Sequence, residues 1–265
     1  MKIIPQHLLQ NITKFAVVFG MVVTCHGQTV LFNFGGTSFT GTDTPGNNTG
    51  AWTDPTPSWN NISDDTASGI VDIDGSATAL AVDFGAGAIS SMDYGAAVRV
   101  ADYIGGADVD GIFDGNTMAE SQLVRDSGGL IGIGLELSGL QAGSYEFYLV
   151  ANRSDSAFNE ARNMDVYYST NSSTVTDFSS LTPLTQLNDN RVAWTEGETY
   201  VRGTFTIATG ESLYLAVESP GFVGVVNSLE VVAVPEPSTV LLLLVGIVAF
   251  LAFRNGKAFH SKNSS

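Results

Sequence analysis

The chain has 265 residues and a lopsided charge balance, 27 Asp and Glu against 11 Lys and Arg, for a formal net charge of −16. Its three histidines (His7, His26, His260), its one cysteine (Cys25) and its four lysines all lie outside residues 28–233, so that stretch lacks Ser-His-Asp and Cys-His nucleophiles, Schiff-base lysines, histidine or cysteine metal ligands, and disulfides. With 26 acidic residues against six arginines, a net charge of −20, the same stretch repels nucleic acid and anionic lipid and leaves only carboxylate chemistry and oxygen-ligated calcium open.

The N-terminus carries Lys2 and Lys14 and then an uncharged run from Phe15 to Val23 that is too short to span a bilayer. A positive start, a short apolar run and small residues at Cys25 and Gly27 are the pattern of a secretory signal peptide, read here as residues 1–27 and cleaved by signal peptidase before Gln28. Cys25 also raises a lipoprotein signal, which Val22, Val23 and Thr24 fit poorly.

From Gln28 to Ala233 short apolar-alternating runs recur between clusters of Gly, Asn, Asp, Ser and Thr, with no long stretch of helical period. Nine strands are expected, at Thr29 to Phe34, Ala79 to Phe84, Ala97 to Ala101, Gly132 to Leu137, Ser144 to Ala151, Asn163 to Ser169, Tyr200 to Ala208, Ser212 to Val217 and Ser228 to Val232. This predicts one all-β domain, an antiparallel β-sandwich of jelly-roll type. Thr37 to Ser63, rich in Gly, Thr, Asn and Pro, reads as a long loop before the second strand. In the run LSGLQAGSYEF (137–147), Gly139 and Gly143 supply turn backbone while Leu137, Leu140, Tyr145 and Phe147 pin a sheet-crossing corner to the core.

Three kinds of site are conceivable in this domain. Trp52 and Trp59 could stack on sugar rings if exposed, Trp52 in the most polar loop being the better carbohydrate candidate; the alternative is that they plug the core. Asp72 and Asp74, and Asp108, Asp110 and Asp114, sit on Asp-Gly turns that suit calcium, although the second loop places Phe113 where an EF-hand needs glycine and Ala119 where it needs glutamate, and solvated turns explain most of the pattern. A carboxylate pair of glycoside-hydrolase type is the third, but no clustered Glu-x-Asp-x-Glu strand marks one. The expectation is a non-catalytic domain without a cofactor.

At the C-terminus Val234, Pro235, Glu236, Pro237 and Ser238 precede a fourteen-residue uncharged run, Val240 to Phe253, followed by Arg254, Lys257 and Lys262. Two prolines around a glutamate hold the chain extended, where a processing enzyme can grip it. The run spans about 21 Å as a helix, short against a hydrocarbon core of roughly 30 Å, and the basic residues beyond it leave the tail cytoplasmic. We read residues 234–258 as a sorting segment with a transmembrane helix at 239–253, stopped by Arg254 and Lys257, and residues 259–265 as a cytoplasmic tail.

Proline-glutamate-proline, a short apolar helix and a basic end, in a chain with a signal peptide, resemble a PEP-CTERM sorting domain. The resemblance implies that Pro235, Glu236 and Pro237 are recognised by an exosortase-type transpeptidase. It also implies export, transient inner-membrane anchoring, display at the cell surface or release, and association with exopolysaccharide or biofilm. The runs VLFNFGG, Trp59-Asn60-Asn61-Ile62, LSGLQAGSYEF with Ala151-Asn152-Arg153, and Asn227-Ser228-Leu229-Glu230 are similar to a recurring passenger domain of such proteins, near the galactose-binding-like jelly rolls.

Overall fold

The computed structural model describes residues 28–35, 38–63, 66–84, 98–102, 121–125, 132–151, 163–172, 184–187, 193–218 and 225–235. In chain order these form β1 (Thr29–Phe34), the short helix α1 (Pro45–Asn48), β2 (Trp59–Ile62), β3 (Thr66–Ser68), β4 (Ala81–Phe84), β5 (Val98–Asp102) and β6 (Ser121–Arg125). There follow β7 (Gly132–Ser138), β8 (Gly143–Val150), β9 (Asn163–Asn171), β10 (Leu184–Leu187), β11 (Val201–Ile207), β12 (Ser212–Glu218), β13 (Val225–Val226) and β14 (Ser228–Ala233). The first sheet has the order β11-β8-β14-β1-β2, the second β10-β9-β12-β7-β4-β3, and a small third sheet β13-β6-β5.

The two large sheets pack face to face. Val30, Phe32 and Phe34 of β1, Phe147 and Leu149 of β8 and Val231 of β14 meet Leu135 and Leu137 of β7, Leu213 and Leu215 of β12 and Val166 of β9 in one buried cluster. Phe34 meets Phe84 edge-on at 5.3 Å between ring centroids, and Phe147 meets Tyr168 at 5.2 Å, so aromatic contacts span the two layers. β11 shows the pattern that builds such a wall: Val201, Phe205 and Ile207 face in while Thr204 and Thr206 alternate outward.

The expected corner carries the chain from the second sheet to the first. Gly139 has φ +83°, and a Cβ on it would overlap the Ala79 carbonyl, so no other residue fits the turn. Leu137, Leu140, Tyr145 and Phe147 are all buried, and the Tyr145 hydroxyl donates to the Gln141 carbonyl at 2.8 Å.

Each of the nine expected strands has its counterpart, and five more are present: β2, β3, β6, β10 and β13. Two expectations need correction. The stretch from Thr37 to Ser63 is not a free loop, since it contains α1 and β2 and folds back over the first sheet. Nor is that sheet wholly antiparallel, because β2 lies parallel to β1, with Leu31 opposite Trp59 and Phe34 opposite Ile62. The long connection between them crosses the sheet's outer face and enters β2 at the end where β1 began, which makes a parallel pair.

The folded body begins and ends at one place. Thr29 pairs with Val232, and the Ala233 N–H donates to the Gln28 carbonyl at 3.1 Å. The expected signal peptide (1–27), the helix expected at 239–253 and the tail expected at 259–265 lie outside the described residues. Among the described residues no helix is long and apolar enough to cross a membrane.

Candidate functional site

Two features stand out, an exit for the C-terminal segment and a buried carboxyl under the connection between β1 and β2. The exit follows from the last strand. β14 is held on both sides, by β1 and β8, up to Ala233; the Val234 N–H then donates to the Ser144 carbonyl at 2.8 Å, and this is the last tie in the described chain. Val234 is 39% exposed, the one large exposed hydrophobic among the described residues, and Pro235 is exposed as well. The expected recognition tripeptide therefore starts immediately where the ladder stops, with its first residue, Pro235, exposed. Glu236, Pro237 and Ser238, and the membrane stop at Arg254 and Lys257, lie outside the described residues.

The second feature is on the outer face of the first sheet. Leu31, Tyr148, Val150 and Val232 point away from the sandwich core, yet all are buried, because Phe39, Trp52, Trp59 and Tyr200 cover them. At the centre of this layer sits Glu230, with no exposure. Its Oε2 accepts from the Trp52 indole N–H at 2.6 Å, the Thr44 hydroxyl at 3.1 Å and the Gly46 N–H at 3.1 Å, while Oε1 has only a longer contact of 3.3 Å to that same N–H. A Cβ at Gly46 would overlap the carboxylate, so glycine is what lets the backbone approach. Thr44 caps α1 by accepting from the Asn47 N–H. Burial pushes the Glu230 carboxyl up to about 7, the bonds from Trp52, Gly46 and Thr44 pulling the other way.

At the edge of the layer the Tyr148 hydroxyl donates to Glu146 at 2.8 Å, and Arg202 pairs with Glu146 at 2.6 Å and lies over the Tyr148 ring. Burial pushes the Tyr148 phenol up to about 12, so it stays a donor. The Glu146 carboxyl is raised by burial but ends below its usual range, because hydrogen bonds from Arg202 and Tyr148 outweigh it.

The carbohydrate expectation for Trp52 and Trp59 is corrected by this layer. Trp52 is 6% and Trp59 9% exposed, their rings meet edge-on, and their N–H groups are used internally, by Glu230 and by the Gly41 carbonyl. The polar connection hides them by lying on the sheet, so neither ring presents a face to a sugar in this conformation. Asp72 forms a closed turn, its Oδ1 accepting from the Asp74 and Ser76 N–H groups. Asp108, Asp110 and Asp114 lie outside the described residues, among which no group of three His, Cys, Asp or Glu side chains is arranged to hold a metal.

The sequence reading overlooked Glu230 as a site, although a carboxylate between Leu229 and Val231 in a strand reading SLEVVA was a signal. Such a residue faces solvent or a built polar pocket.

No curated protein matches the chain. A solved structure described as a novel family GH115 4-O-methyl-alpha-glucuronidase with specificity for decorated arabinogalactans is similar over 44% of this chain at 10% identity, with a TM-score of 0.29, and the likeness spans 15% of that enzyme. A likeness of that size carries no argument about this chain. The family comparison falls on the other feature and starts at the last residue of β14: residues 233–257 of this chain carry a PEP-CTERM protein-sorting motif.

Proposed function

We propose that this chain is a non-catalytic surface or extracellular-matrix protein, exported by a cleaved signal peptide (1–27) and processed through its C-terminal motif. The domain, residues 28–233, is a jelly-roll sandwich of the galactose-binding-like kind. Residues 239–253 hold it transiently in the inner membrane, with Arg254 and Lys257 as the stop. An exosortase-type transpeptidase then acts at Pro235, Glu236 and Pro237, and the product associates with exopolysaccharide or biofilm outside the cell. The observation that carries this reading is the sorting motif matched at 233–257, which begins where the strand ladder ends and the chain becomes exposed. Support for a non-catalytic domain comes from its residue content and from Glu230, the only buried carboxylate among the residues whose burial is described, whose partners are neutral donors and not a second acid.

Mass spectrometry of both termini, on protein recovered from the surface fraction and the medium of the source cells, tests it. The expected product starts at Gln28 and ends between Pro235 and Ser238, and this end disappears when Pro235 and Pro237 become Ala. An intact tail through Ser265 in the membrane fraction would mean a plain single-span anchor and would remove the transpeptidase from the account.

A further inference from the structure

The connection from Ser38 to Ser58 is held over the first sheet by unusual means. Its regular structure is one helix of four residues, and the ties that reach Glu230 are three neutral donors, from Thr44, Gly46 and Trp52. Residues 38–58 contain no Lys, Arg or His, and their titratable groups are Asp43 and Asp54. Asp43 sits at the rim, accepting from the Trp194 and Asn48 side chains.

Among the described residues, the elements around the carboxyl supply no counter-charge either. Opposite Glu230 in register are Tyr148 on β8 and Leu31 on β1. Tyr200, on the turn before β11, is a phenol held above its usual range by burial, then by Glu196. The other side chains of that turn with formal charge are the carboxylates Glu196 and Glu198, and Arg202 is committed to Glu146. Oε2 takes the three donors and leaves Oε1 as the oxygen that can carry a proton. With the proton in place the buried group is neutral and fits its apolar layer; without it a full charge lies in that layer with no cation of the described residues beside it.

We propose that residues 38–58 are a proton-operated strap, closed over the outer face of the first sheet while the Glu230 carboxyl is protonated and released when it ionises, which exposes Trp52 on the strap and uncovers Trp59 and Tyr148 on the sheet. In the released state Glu230 is hydrated and ionises as an ordinary glutamate. The strap therefore opens more readily as pH rises from acid toward neutral.

Amide hydrogen exchange of the full chain, read on peptides covering residues 42–52 and corrected for the intrinsic pH dependence of exchange, tests this. The open fraction of the wild-type strap is expected to rise roughly fortyfold between pH 5 and pH 7, as follows from a carboxyl at about 7 in the closed state and an ordinary glutamate in the open one. Trp fluorescence should become more accessible to quenchers in parallel. In Glu230→Gln, which keeps an acceptor of the same shape, the open fraction should be flat over this range. An open fraction independent of pH in the wild type, or a rise that persists in Glu230→Gln, overturns the proposal. Should that variant fail to fold, Trp52→Phe serves, since it removes the shortest donor and keeps a ring. Its loss of protection relative to wild type should be greater at pH 8 than at pH 5, and an equal loss at both overturns the proposal.

Discussion

Glu230 and Glu146 are on the same face of the first sheet, on the neighbouring strands β14 and β8, and are shifted in opposite senses. Glu230 is raised by burial from 4.5 to about 7, so between those values the folded state holds a proton that the unfolded chain has released. Its contribution to stability is complete below about 4.5 and is lost as pH rises to 7, a change on the order of 3 kcal/mol. Glu146, lowered on balance by Arg202 and Tyr148, contributes above the usual carboxylate range and loses that contribution in acid. Urea denaturation of the wild type should therefore show stability falling from pH 5 to pH 8, and Glu230→Gln should flatten most of that fall while leaving the loss at lower pH in place. The linear sequence marks Glu230 as a carboxylate in an apolar strand but does not show what it meets. Glu230 meets Thr44, Gly46 and Trp52 across separations of 186, 184 and 178 residues, and no local pattern signals such a meeting.

Strands with a clear period were legible and the short polar ones were not. β1, β8, β11 and β14 announce themselves by apolar residues at alternate positions or in continuous runs, and their expected bounds differ from the observed ones by no more than a residue. β2 reads Trp-Asn-Asn-Ile and was absorbed into a loop, because its order comes from a side chain standing in for backbone. The Asn60 amide donates to the Leu31 and Val71 carbonyls and accepts from the Val71 N–H, joining β2 to a segment with no strand there to pair. Asn60→Ala should lower stability by about 1–3 kcal/mol, since it strands buried backbone groups, and a reduced urea midpoint with unchanged slope would register it. The cover over the outer face was also readable in principle. Continuous burial in β1 and β14, where a one-sided strand would alternate, means that something lies on both sides.

At the scale of the molecule, the C-terminal motif was legible without a fold, because its prolines, glutamate, apolar run and basic end are contiguous in the chain. What the sequence could not show is how the two flanks of the domain sit relative to each other. The Gln28 carbonyl and the Ala233 N–H share a hydrogen bond, so a circular permutant that joins Val234 to Gln28 through a short glycine linker should fold to the same strand content, with a melting temperature within a few degrees of the parent. Circular dichroism and a thermal melt would check it. The strand pair that brings these flanks together also fixes the domain's response to tension. Pulling the two flanks apart would open the rungs from Thr29–Val232 to Asn33–Ser228 one after another, as a zipper opens, with no two rungs sharing the load. The fold is consequently suited to hang from one flank as a pendant body and unsuited to serve as a link in a chain under strain.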